Sequence, residues 1–150
     1  MFKHILVPTD GSELSQETVR HAVSFARETG AAITAFHAKP EYPVTYYGEG
    51  VLIDTTSPEK FAELAEAQAQ EILDYVLDVC REAGVPCDKA TTTSDAPHEV
   101  IVEAAKDRGC DLIFMASYGR RGLTSLLLGS ETQKVLTLST IPVLVYRSPD

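Results

Sequence analysis

Two hydrophobic periods take turns along this chain: short continuous apolar runs, and longer stretches that repeat every three to four residues. The first run, Ile5-Leu-Val-Pro8, reads as a buried strand. Asp10-Gly-Ser12 then opens a helix with Ser12 at the N-cap. Val19, Ala22, Val23 and Ala26 follow the spacing of one buried helical face, and Gly30 stands at the C′ position. Ala32-Ile-Thr-Ala-Phe-His-Ala38 reads as a second strand. Residues 39–57 break the pattern with Pro40, Pro43, Gly48 and Gly50, and carry the aromatic cluster Tyr42, Tyr46 and Tyr47. A loop of that length in a small domain is a binding segment, a lid, or a partly disordered stretch.

Ser57-Pro58 starts a long helix, with Pro58 suited to its first position. Phe61, Leu64, Ala65, Ile72, Val76 and Cys80 fall on or near one face, and Gly84 ends it. Cys87–Thr93 reads as a third strand. Asp95-Ala-Pro97 opens a short helix with the face Val100, Ile101, Ala104 and Ala105, closed by Gly109. The run at 111–116 is a fourth strand, residues 131–138 a last helix, and Ile141-Pro-Val-Leu-Val-Tyr146 a final strand.

This alternation predicts an α/β fold, a parallel sheet with helices on both faces. Nothing in composition marks a boundary, so residues 1–150 are expected to form one domain. In such sheets a ligand sits beyond the carboxyl ends of the strands, where the strand order reverses. Asp10 and Gly119 both follow strands there. They face each other if strands one and four are neighbours, which sequence alone leaves open.

The segment from Ala116 to Ser130 carries the most chemistry. It joins a strand end, a loop with Gly119, Arg120, Arg121 and Gly122, and a new helix start at Gly129-Ser130. Ser130 and Gln133 have the spacing of a capping box. Glycine admits close approach of backbone N–H groups, and a helix N-terminus offers unpaired donors and positive potential. Together these suit a phosphate or another anion. Arg120, Arg121 and Lys134 are either solvated residues or local positive charge for it. Asp10 is either a turn residue or an acceptor for sugar hydroxyls.

Charge then narrows the partners. A net charge of −9 over 150 residues excludes the basic footprint of nonspecific nucleic-acid binding and disfavours docking on anionic lipid. No apolar run approaches membrane-spanning length, and the start of the chain enters a strand without a signal-peptide pattern. Cys80, Cys87 and Cys110 are an odd set without metal-type spacing, so reduced thiols and a cytoplasmic location are expected. His4, His21, His37 and His98 are scattered, with His37 expected as a packed core residue, and no metal site is expected. The P-loop, dinucleotide and nucleophile-elbow patterns are absent, and no catalytic set is visible.

Val-Pro-Thr-Asp-Gly-Ser12, Phe-His-Ala38, Asp111-Leu-Ile-Phe-Met115, Ile-Pro-Val-Leu-Val145 and above all the 116–130 segment resemble the universal stress protein family across nearly the whole chain. The ATP-binding branch has glycine, two residues, glycine, nine residues, glycine, then Ser or Thr. Here the series is Ala116, Gly119, Gly129, Ser130, so the first position departs. Tyr118 also stands where many relatives carry histidine.

The resemblance implies a doubly wound five-stranded sheet of order 3-2-1-4-5, adenine-nucleotide alpha-hydrolase-like. It implies ATP as ligand, with a divalent metal such as Mg or Mn. Asp10 would contact the ribose, Pro8 and Ala38 the adenine, and Gly119, Gly129 and Ser130 the phosphates. Thr9, Met115, Ala116, Arg120, Gly122, Glu131 and Thr132 complete the expected set. A homodimer through the strand at 141–146 is implied too, covering an otherwise free apolar edge. The expected function is a dimeric stress-response sensor or adaptor. Two alternatives stay open: an interaction module of the same fold without nucleotide, and a slow ATPase or autophosphorylating protein using Ser130 or Thr132.

Overall fold

A computed structural model describes residues 1–43, 57–118 and 128–149, and residues 46–47 and 50–51 by their backbone. The central strand is β1 (His4–Pro8). It is flanked by β2 (Ala32–Lys39) and β6 (Leu112–Ala116), with β5 (Cys87–Thr93) and β7 (Val143–Tyr146) at the edges. The two remaining strands, β3 (Tyr46–Tyr47) and β4 (Gly50–Val51), pair with each other as an antiparallel ribbon. The main sheet thus runs β5-β2-β1-β6-β7, all parallel, which is the expected order 3-2-1-4-5. Ile5↔Leu112 and Leu6↔Ile113 settle the adjacency of the first and fourth long strands.

The helices are α1 (Glu13–Thr29), α2 (Pro58–Ala83), α3 (Pro97–Asp107) and α4 (Ser130–Leu138). Successive strand residues point to opposite faces, and two cores result. Ile5, Val7, Ile33, Ala35, Leu112 and Phe114 meet α1 and α2. Leu6, Phe36, Ile113 and Met115 meet α3 and α4. All five residues of β6 are buried, as expected of a strand covered on both sides. Ser12 caps α1 by accepting from the Ser15 N–H, and Ser57 caps α2 by accepting from Lys60.

One expected face is corrected. Leu64 of α2 is 54% exposed, and the buried stripe is Ala65, Ala69, Leu73, Val76 and Cys80. The buried stripe thus follows the small Ala65 and Ala69 rather than the bulkier Leu64. Tyr42, from the aromatic cluster, sets its ring edge-on to Phe61 at 5.5 Å.

At the amino end of the sheet, Asp111 ties β6 to the start of β1. Its Oδ2 accepts from the Lys3 N–H at 2.9 Å and its Oδ1 from the His4 N–H at 3.1 Å. Burial pushes this carboxyl up, but the N–H groups of Lys3 and His4 outweigh it and hold it below the usual carboxylate range. A lowered folded-state value means stability that is present near neutrality and lost as pH falls through that value. Asp111→Asn is therefore expected to unfold at lower urea than the parent at pH 7, with the gap closing toward pH 3. A gap that stays constant with pH would exclude the charged tie.

Candidate functional site

The carboxyl end of β1 runs into Thr9, Asp10 and Gly11, and hydrogen bonds hold this turn from several sides. The Thr9 N–H donates to the Phe36 carbonyl of β2 at 2.9 Å. Its carbonyl accepts from His37 Nδ1 at 2.8 Å, so the buried ring carries a proton on that nitrogen. His37 is thus the packed residue expected, with an added role in fixing the Thr9 carbonyl. Gly11 lies at φ 79°, a left-handed turn that favours glycine.

Asp10 Oδ1 accepts from the Ser12 N–H at 2.9 Å and from the Ser15 hydroxyl at 2.7 Å. These bonds orient the carboxylate at the mouth of the site. Ser15 was not among the expected site residues. Its signal was its place one turn after the cap Ser12, where a hydroxyl can reach back over the helix start.

Beside this turn, β6 ends in Met115 and Ala116, both buried. The Ala116 carbonyl accepts from the Thr132 hydroxyl at 3.0 Å, and the Gly129 N–H donates to the Ser117 carbonyl at 2.8 Å. The start of α4 is therefore clamped onto the end of β6. A Cβ on Gly129 would stand 2.9 Å from Tyr118 Cα and 3.0 Å from Tyr118 Cβ. Gly129 has φ −62°, so glycine is required by this contact and not by its backbone angles.

The expected capping box does not form. Gly129 is the N-cap and Ser130 the first helical residue, and among the described residues no side chain caps α4. The Gln133 side chain donates instead to the Leu128 carbonyl at 2.9 Å. The helix start is pressed against Ser117 and Tyr118, where a serine side chain at the cap does not fit. Among the described residues, no side chain is seen to accept from the first-turn N–H groups of α4.

Glu131 Oε2 accepts from both the His98 N–H and His98 Nδ1, each at 2.9 Å. Its other oxygen lies 3.7 Å from Lys134 Nζ. It thereby supplies the cap that α3 lacks, since Ala96 at that N-cap has no side-chain acceptor. Sequence reading had no signal for this cross-helix cap.

The structure thus gathers Pro8, Thr9, Asp10, Ala38, Met115, Ala116, Gly129, Ser130 and Thr132 around the carboxyl ends of β1, β2 and β6. Gly119, Arg120, Arg121 and Gly122 lie outside the described residues. Among the described residues no group of histidine, cysteine or carboxylate side chains has metal-binding geometry. Among the same residues no helix is long and apolar enough to cross a membrane.

Residues 1–147 match the Universal stress protein family. The chain belongs to the universal stress protein family. Universal stress protein MJ0531 of Methanocaldococcus jannaschii is 35% identical over 150 residues, covering 99% of this chain and 84% of its own. The solved structure of MJ0577, from the same organism, superposes with a TM-score of 0.75 at 26% identity, covering 100% of this chain and 99% of that one.

Two further universal stress protein structures share the fold. One, from Archaeoglobus fulgidus in complex with dAMP, has a TM-score of 0.68 at 17% identity, covering 97% of each chain. Another, from Arabidopsis thaliana with AMP bound, has a TM-score of 0.68 at 21% identity, covering 99% of this chain and 94% of that one.

Proposed function

We propose that this universal stress protein binds ATP, with Mg or Mn, and works as a cytoplasmic, dimeric stress-response sensor or adaptor. The observation that carries the reading is the contact at Gly129, where the start of α4 meets the end of β6 with no room for a side chain. It sets the first-turn N–H groups of α4, which no side chain among the described residues caps, beside the strand ends that also carry Asp10. Such donors, backed by the helix dipole, suit phosphate oxygens. Asp10, held by Ser12 and Ser15, suits a ribose hydroxyl, and Ala38 and Pro8 leave an apolar lining for a base. Adenine nucleotides in relatives of the same fold support the reading.

The metal has no dedicated cage in these residues, and a Mg-type ion held mainly by phosphates and water needs none. When bound, it would neutralise phosphate charge. The Glu131 carboxylate is engaged with His98 and Lys134, so what Glu131 offers the phosphates is its first-turn backbone N–H. The dimer would form through β7, whose Val143, Leu144, Val145 and Tyr146 are each only half-buried on an edge strand.

The test is calorimetric titration of nucleotide-stripped protein with ATP and Mg²⁺, beside an Ala116→Gly variant. Micromolar binding by the parent is the expected result. Binding by the variant alone would mean that one methyl group closes the site. Binding by neither would overturn the reading and leave an interaction module of the same fold.

A further inference from the structure

The second residue of α4 is an acid, Glu131, and its charge opposes the ligand proposed for that helix start. A carboxylate in the first turn of a helix is drawn to the N–H groups of that turn, as any anion is. Glu131 left to itself would compete with a phosphate for those donors and repel it. The structure holds its carboxylate elsewhere. Glu131 Oε2 accepts from the His98 backbone N–H and from the proton on His98 Nδ1, each at 2.9 Å. Glu131 Oε1 lies 3.7 Å from Lys134 Nζ. The next residue, Thr132, donates its hydroxyl to the Ala116 carbonyl at 3.0 Å. Successive side chains of this turn therefore diverge, Thr132 toward β6 and Glu131 toward α3.

His98 is itself held in place. It follows Pro97, whose ring presets the first helical residue of α3. Its Nε2 stands 4.0 Å from Glu99 Oε1, and only 19% of its side chain is exposed. His98 and Ser130 also line one open cavity of about 470 Å³ between α3 and α4. A carboxylate released by the imidazole has room there to turn back over the start of α4.

Given the phosphate binding proposed for α4, we propose that His98 is a positioning residue for that site. It draws the Glu131 carboxylate onto α3 and so keeps the first-turn N–H groups of α4 for nucleotide phosphates. The same contact caps α3, so losing it also loosens that helix. The two effects differ in what they depend on. Repulsion requires the charge of Glu131 and grows with the charge of the ligand, whereas a lost cap depends on neither.

The experiment titrates nucleotide-stripped parent and variants with ATP and with AMP, in Mg²⁺. His98→Ala is expected to weaken ATP binding at least about fivefold, and AMP binding less. His98→Asn, whose amide donates from the place of Nδ1, should keep most of the parent's affinity. His98→Gln, whose amide reaches the place of Nε2 instead, should weaken ATP as alanine does, and it carries the test if the alanine variant unfolds. Adding Glu131→Gln to His98→Ala should strengthen ATP binding again, because an amide does not repel phosphate. A role confined to the α3 cap predicts the opposite, a further loss in the double variant. A parent that binds neither nucleotide would overturn the proposed function, and this positioning role with it. If the parent binds, three results would overturn the positioning role alone: an unchanged His98→Ala, equal losses for ATP and AMP, or a double variant no tighter than His98→Ala.

Discussion

Gly129→Val is expected to lose nucleotide binding altogether and to unfold earlier than the parent. Even alanine there sets its Cβ 2.9 Å from a backbone atom, Tyr118 Cα, which cannot swing aside as a flexible side chain would. The strain is relieved only if α4 moves away from β6. That movement breaks the Gly129–Ser117 bond at 2.8 Å and the Thr132–Ala116 bond at 3.0 Å. Overpacking of this kind costs about 1–3 kcal/mol, and a buried carbonyl left without its donor adds to it. The loss of stability is read from urea unfolding, the loss of affinity from titration with ATP and Mg²⁺. An unchanged unfolding midpoint would mean that the contact is not tight. Binding at the parent's affinity would remove α4's N-terminus from the phosphate site.

The elements of the fold were largely legible because local rules decide them. Ser12 and Ser57 cap their helices as serine does, and Gly30 and Gly84 end theirs. Period-two alternation in β1 and β6 separates the two cores residue by residue. What stayed hidden depends on contacts distant in sequence. The adjacency of β1 and β6 joins Leu6 to Ile113 across more of the chain than any local pattern spans. The family resemblance, rather than periodicity, supplied that order.

Three finer features show the same limit. Ser130 has the right type and spacing to cap α4, yet Gly129 caps it because Tyr118 occupies the space that a cap side chain needs. Leu64 belongs to an apolar pattern but faces outward, because the buried stripe of α2 runs along Ala65, Ala69, Leu73, Val76 and Cys80. Glu131 reads as an acidic first-turn residue of its own helix, and instead it caps the neighbouring one through His98. For Ser130 and Glu131 a partner from another element outweighs a local preference worth about 0.5–2 kcal/mol.

Phe36→Ala is expected to cost the most stability of any substitution considered. Phe36 is 1% exposed and packs in the core with Leu6, Ile113, Met115 and Val135, between the sheet and the α3–α4 layer. Truncating a buried phenylalanine costs about 3–5 kcal/mol, because the transfer energy is lost and the cavity only partly collapses. Against a total of about 5–15 kcal/mol for a domain, that takes much of the margin. The same residue also organises the site. It pairs with Pro8, its carbonyl receives the Thr9 N–H, and its neighbours His37 and Ala38 hold the Thr9 carbonyl and line the same strand end. Partial collapse into the cavity shifts β2 against β1, so nucleotide affinity should fall together with stability. Phe36→Leu, which keeps most of the volume, should lose about 1.5 kcal/mol or less and retain binding. Urea unfolding of the two variants separates the contributions: similar losses would show that volume at this position does not hold the strand ends together.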